Sequence, residues 1–295
     1  MSLVFPALAL FWLEPQGQSL GDGIKALEAG RLDDSERILS AVVQNHADSG
    51  DANFYLGLVH FRAGRATAAL PFLERAVALS PASARASKTL GLALTSAGQI
   101  EGAARALGKA CDQAPDDKDA CYYFARNLHL TGRYESARAP FEKALRAAPK
   151  DMLSTVHRAM ALNFYALDMP AQAERHFVKA VALKGRAPGG GEDPRVDYGA
   201  FLFRQGRTED AVGPLQQAVR ETPSSARANI ELGRVLLHLG RLAAAAVCLE
   251  KAAALEPANW NARLLLGRAY LRLGRIDDGE REMRLGLAYG STTVK

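Results

Sequence analysis

The chain has 295 residues, of which 48% are hydrophobic and 23% charged, so it carries enough apolar surface to fold and is not a disordered polymer. Its 37 Lys and Arg against 32 Asp and Glu leave a net charge of +5, spread along the chain with no run of five basic residues, which argues against a nucleic-acid-binding tail. Three cysteines with no CxxC pair exclude zinc-ribbon and thioredoxin-type chemistry.

The first 13 residues, MSLVFPALALFWL, are uncharged and too few to span a bilayer as a helix. Ala7-Leu8-Ala9 fits the small-x-small pattern of a secretory signal, but no basic residue precedes it. Two readings of residues 1–15 stay open: a truncated signal, or an apolar lid covering the first folded unit of the chain. The compartment stays open with them, cytoplasmic in one case and periplasmic or otherwise extracytoplasmic in the other.

Beyond that segment the chain repeats. Gly57, Ala69, Ala76 and Pro81 recur 34 residues later as Gly91, Ala103, Ala110 and Pro115, and again as Gly233, Ala245, Ala252 and Pro257. A fixed period of this size marks a solenoid of stacked helical units. Residues 50–83 show how one unit is built. Ala52–Ala63 is apolar at helical spacing, and Gly64-Arg65 ends that helix, since glycine is favoured just past a helix terminus. Thr67 is expected to cap a second helix running to about Leu79, which Pro81 prevents from continuing. Gly57 and Ala69 are expected where the two helices cross, with Ala76 facing the next unit. A larger side chain there would force the helices apart.

Glycine at unit position 8, alanine at 20, a large apolar residue at 24, alanine at 27 and proline at 32 together resemble the tetratricopeptide repeat. Eight repeats can be laid out: 16–49, 50–83, 84–117, 118–151, 154–187, 192–225, 226–259 and 260–293. The resemblance implies an all-α, right-handed superhelical solenoid of helix-turn-helix repeats. It is nearly silent on function, because every matched residue is a packing residue.

The departures are as informative. The first repeat has Ser35 and Val42 in place of alanines, and the fourth and fifth have Ala125 and Ala161 in place of glycine. The fifth also lacks the inter-helix glycine, so Asp168 is expected to cap its second helix, with Pro170 in the first turn. Met152-Leu153 interrupts the period, and so does KGRAPGGGEDP at Lys184–Pro194, a loop by composition. The latter is either a hinge or a tolerated surface insertion. It divides the chain into 16–187 with five repeats, a Gly-rich insertion at 188–191, and 192–295 with three. The last helix carries Asp277, Asp278, Glu280, Arg281, Glu282 and Arg284, the polar face expected of a terminal cap at which the array ends.

No HExxH, GxSxG or Walker-type sequence is present, and the six histidines lack ligand spacing. His60 is expected as a packed core residue. Asp33-Asp34, Asp116-Asp117 and Asp277-Asp278 are expected at helix starts, where they complement the helix dipole. The reading is therefore non-catalytic, with no cofactor. Cys111 and Cys121 are expected as small buried thiols; a bridge between them is the alternative.

The resemblance further implies that the first helix of each repeat lines a concave groove through positions 2, 5, 9 and 12. Read so, the groove displays Phe54, Arg85, Lys88, Tyr122, Arg126, His129, Arg158, Tyr165, Arg234 and Arg268, joined by Arg227 and, at position 13, Arg272. Basic residues interleaved with aromatics suit an extended acidic segment of another protein: arginine forks grip carboxylates, and aromatic faces take apolar side chains. Single-stranded nucleic acid, with bases stacked on Tyr122 and Tyr165, is the alternative. Association of two copies through the apolar N-terminus is a third. The clamp by which some members hold a chaperone C-terminus is matched at Lys88 but not at Leu92 or Tyr123, so it is not expected here.

Overall fold

The computed structural model describes residues 19–184 and 193–292, so the segment 1–15 and the insertion 188–191 lie outside the described residues. Among the described residues there are sixteen helices and no strand. They form eight hairpins: α1 (Leu20–Glu28) with α2 (Leu32–Asn45), α3 (Gly50–Arg62) with α4 (Ala66–Leu79), α5 (Ala84–Ser96) with α6 (Ile100–Gln113), and α7 (Lys118–Leu130) with α8 (Tyr134–Ala147). The other four are α9 (Lys150–Ala166) with α10 (Pro170–Ala182), α11 (Pro194–Arg204) with α12 (Thr208–Glu221), α13 (Ala226–His238) with α14 (Leu242–Leu255), and α15 (Trp260–Arg272) with α16 (Ile276–Thr292). The chain forms two compact units that meet in sequence between Ala147 and Ala148, each holding four hairpins. Within each unit every second helix also contacts the first helix of the next hairpin, and successive first helices touch along one side.

Capping explains where the helices begin. Seven of the eight first helices start at a side chain that accepts a backbone N–H: Ser19, Ser49, Ser83, Asp117, Asp193, Ser225 and Asn259. α9 starts instead at Pro149 with no such bond, and runs 17 residues, so the Met152-Leu153 insertion is absorbed as extra helix rather than as a loop. The second helices are not capped as the sequence suggests. α4 starts at Ala66 from Arg65, which makes no side-chain cap bond, so Thr67 lies inside the helix. Asp168 does not cap α10 either. Its φ of 56° places it in the left-handed conformation that Gly30, Gly64, Gly98, Gly132, Gly206, Gly240 and Gly274 adopt in the other hairpins, and Met169 precedes Pro170 at the helix start. Asp is among the few non-glycine residues that enter this region readily, which is why the hairpin survives without its glycine.

The hairpin crossings are as tight as the small residues predict, but the partner of glycine is the large residue at position 24. A Cβ added at Gly57 would lie 2.7 Å from Leu73 Cγ, at Gly91 2.5 Å from Leu107 Cγ, and at Gly199 2.4 Å from Leu215 Cγ. The two repeats with alanine here, Ala125 and Ala161, carry Phe141 and Phe177 at position 24, and all four residues are buried. A phenylalanine is planar at Cγ where leucine branches, and so leaves room for one methyl group. In the first repeat Ser35 is buried like the alanine it replaces, with its hydroxyl donating to Gly23 O at 2.8 Å.

Cys111 at the end of α6 and Cys121 on α7 are bridged, with Cα atoms 4.7 Å apart. This replaces the expectation of two buried thiols. Successive hairpins bring the two positions together although ten residues separate them in sequence.

Candidate binding surface

From the second repeat onward, position 4 is polar everywhere except at the bridged Cys121, and in all but the fifth and sixth repeats it lies one turn inside the first helix, next to the loop that precedes it. Asn53 donates from Nδ2 to Ala47 O and Ser49 O at 3.1 and 2.8 Å, and Asn229 does the same to Pro223 O and Ser225 O at 3.2 and 2.8 Å. Arg263 reaches Pro257 O at 2.7 Å and Glu282 at 2.6 Å. Arg195, fully buried, is held by Asp193 and Glu221 and ties the start of α11 to the end of α12. Its guanidinium holds the Glu221 carboxyl down to about 2. His157 meets His176 of the same hairpin, Nδ1 to Nδ1, at 3.0 Å. These positions are therefore structural, and the histidine pair is a contact that no spacing in the sequence announces, since the partners stand 19 positions apart. His60, as expected, is packed, with its ring stacked on Phe72 at 5.3 Å.

The first-helix stripe of the unit ending at Ala147 is only partly open. Phe54 is 3% exposed and Tyr122 8%, so both belong to the core and not to a surface that a ligand could touch. Arg85 lies over the Phe54 and Tyr55 rings at 4.3 and 5.2 Å, donates to the Tyr55 hydroxyl at 3.1 Å, and faces Asp51 at 3.6 Å. Lys88 donates to Asp117 at 2.6 Å. Burial pushes the Asp117 carboxyl up, but the Lys88 ammonium and the Ala120 N–H outweigh it and hold the group below its ordinary range. His129 packs against Tyr134 at 5.1 Å. Arg126 is exposed and makes no ion pair among the described residues.

In the unit beginning at Ala148 the same stripe divides in two. Arg158 from α9 and Arg227 from α13 both pair with Asp197 of α11, a buried carboxylate that thereby joins three successive first helices. Tyr165 packs edge-on against Phe201 at 5.6 Å. These residues hold repeats together, so their charges are already spent inside the protein.

Farther along, α11, α13 and α15 border a shallow, open cleft of about 630 Å³. Arg234, Arg268 and Arg272 line it, with Asn261 as the uncharged polar group. Phe203 and His238, set edge-on at 5.3 Å, form one wall. Leu271 supplies apolar surface, above the buried Leu237 and Leu265. No Asp or Glu is among the lining residues. Arg272 is held in place by a hydrogen bond from Nη1 to Leu237 O at 2.7 Å, and Arg234 has Glu231 at 3.6 Å. Arg268 is exposed and without an ion pair among the described residues. Sequence reading found Arg234, Arg268 and Arg272 but missed Phe203, His238 and the leucines. Position 13, where His238 and Arg272 sit, is the last residue of the first helix.

The comparisons with known proteins agree with this architecture. One tetratricopeptide repeat model matches residues 21–84 and 202–249, and a second matches 94–162 and 236–290. Cellulose synthase operon protein C of Komagataeibacter xylinus is 43% identical over 63 residues, which are 21% of this chain and 5% of that protein. Among solved structures, MamA is 26% identical, with a TM-score of 0.51 over 55% of this chain and 95% of its own. The Cut9–Hcn1 hetero-tetramer of the APC/C aligns over 85% of this chain and 48% of its own, with a TM-score of 0.62 at 16% identity, a likeness of fold alone. No helix among the described residues is long and apolar enough to cross a membrane.

Proposed function

Because the chain belongs to the tetratricopeptide repeat family, a protein–protein interaction fold, we propose that it is a non-catalytic scaffold that captures an extended acidic segment of a partner protein on the first-helix side of repeats 6 to 8. The observation that carries this reading is the cleft of α11, α13 and α15, which three arginines line together with the half-buried Phe203 and Leu271 and no carboxylate. Guanidinium groups held beside low-dielectric walls bind carboxylates more strongly than the same groups in open water. Arg126 offers further positive charge in the other unit, whereas Arg85, Lys88, Arg158 and Arg227 are engaged in ion pairs of their own.

The same engagement weighs against the nucleic-acid alternative. A phosphate backbone is bound by many unpaired cations in series, and here several of the cations that such a series would need already hold carboxylates. The test is binding of the intact chain to a fluorescent glutamate-rich peptide and, separately, to a single-stranded oligonucleotide. The peptide is expected to bind, and R234E/R268E/R272E is expected to abolish binding while leaving helicity unchanged. Tight oligonucleotide binding with no peptide binding would overturn the reading.

A further inference from the structure

The cleft carries more than a general preference for negative charge. Arg268 and Arg272 stand one helical turn apart on α15, and both line it. Residues four apart on a helix have Cβ atoms about 6 Å apart. In an extended peptide, side chains at i and i+2 share a face and lie about 7 Å apart, while neighbours at i and i+1 point to opposite faces. The two spacings match. The charge balance points the same way: the cleft has three guanidinium groups, Glu231 compensates Arg234 from 3.6 Å, and two positive charges are left for a ligand to neutralise. Arg272 is preset by its hydrogen bond to Leu237 O, and Arg268 has no partner to give up. The half-buried side chains of Phe203 and Leu271 offer apolar surface for a further side chain of the same segment.

From this we infer that the cleft selects an acidic-x-acidic sequence in an extended segment, with the two carboxylates on Arg268 and Arg272 and a neighbouring apolar side chain against Phe203 and Leu271. The inference rests on the proposed function and adds its specificity. Two peptides of identical composition test it. One carries Glu-x-Glu followed by leucine, and the other has the two glutamates adjacent. Both are titrated by fluorescence anisotropy with the full chain and with R268Q, which removes an exposed side chain whose loss leaves no buried group unsatisfied.

The Glu-x-Glu peptide is expected to bind about tenfold more tightly than its isomer, the equivalent of one charge-assisted pair. R268Q is expected to erase that difference. If both isomers bind equally and R234E/R268E/R272E abolishes both, the spacing inference is overturned and the acidic-segment reading stands. If neither isomer binds, both fall. If a peptide with a single phosphoserine binds more tightly than Glu-x-Glu, the cleft is selecting one dianion and the carboxylate-pair inference is overturned.

Discussion

Gly91 and Leu107 illustrate how single side chains hold this fold together. The glycine is helical, so it is not there for backbone freedom; it is there because Leu107 Cγ would lie 2.5 Å from its Cβ and Leu107 N 3.1 Å away. Gly91→Ala is expected to cost about 1–3 kcal/mol of stability through overpacking. The Ala125–Phe141 and Ala161–Phe177 hairpins show how the chain accommodates that methyl group elsewhere. The double variant G91A/L107F is therefore expected to recover part of the loss. Urea unfolding of the two singles and the double forms the cycle, and strict additivity would show that the pairing of alanine with phenylalanine is not compensatory. A second residue is notable for what it lacks. Ser87 occupies position 4 but is too short to reach the preceding turn, its hydroxyl has no partner among the described residues, and Gln113 bonds Pro81 O instead at 2.8 Å.

The α9–α10 hairpin has a sensitivity of its own. His157 and His176 touch through Nδ1, so one ring donates and the other must accept, and the pair cannot hold two protons without losing that bond. Burial is the main force lowering both groups, joined at His176 by the neighbouring His157 and Lys179, which bring it to about 4. A histidine whose folded value lies below its unfolded value of 6.5 takes up protons more readily when unfolded. Its contribution to stability is thus full above about pH 6.5 and is lost as pH falls toward 4. Chemical denaturation at about pH 7 and about pH 4.5 should show the native chain losing stability across this window. In H157F/H176F the loss should be smaller, because the aromatic contacts with Phe164 remain while the titrating groups are gone. An equal loss in both proteins would assign the pH sensitivity to other groups.

Each of the two compact units is stapled differently. The one ending at Ala147 has the Cys111–Cys121 bridge between the third and fourth hairpins. The one beginning at Ala148 has the buried carboxylate Asp197 shared by Arg158 and Arg227, and the Arg195 cluster. In a solenoid, stability is nearly a sum of repeat and nearest-neighbour terms, so a local change is felt locally. Closing a loop of this size is worth about 2–3 kcal/mol by chain entropy. C111A/C121A is accordingly expected to lower the hydrogen-exchange protection of α5 to α8 by about that amount and to leave α11 to α16 unchanged. Uniform loss across all sixteen helices would mean that the chain unfolds as a single cooperative body.

Much of this protein was legible in its residues. The period of 34 and the small residues at the crossings arise from packing rules that act between neighbours in a fixed register. Such rules leave the same mark in every repeat, so eight hairpins and the first-helix stripe are visible in the residues alone. Asp168 and Thr67 were misassigned because the left-handed turn is set by the geometry between helices and not by the capping propensity of one residue. The Cys111–Cys121 bridge was one of two readings the residues left open, whereas the histidine pair depends on how α9 and α10 cross and the sharing of Asp197 on how successive hairpins are offset, and neither leaves a mark in the sequence. The same holds for the site. The residue types specified a basic stripe, but folding put Phe54 and Tyr122 in the core, gave Lys88 and Arg158 carboxylate partners, and left Arg234, Arg268 and Arg272 around a cleft. Charge is a property of the chain, whereas which charges remain to meet a partner depends on distances between repeats, and those exist only in the folded molecule.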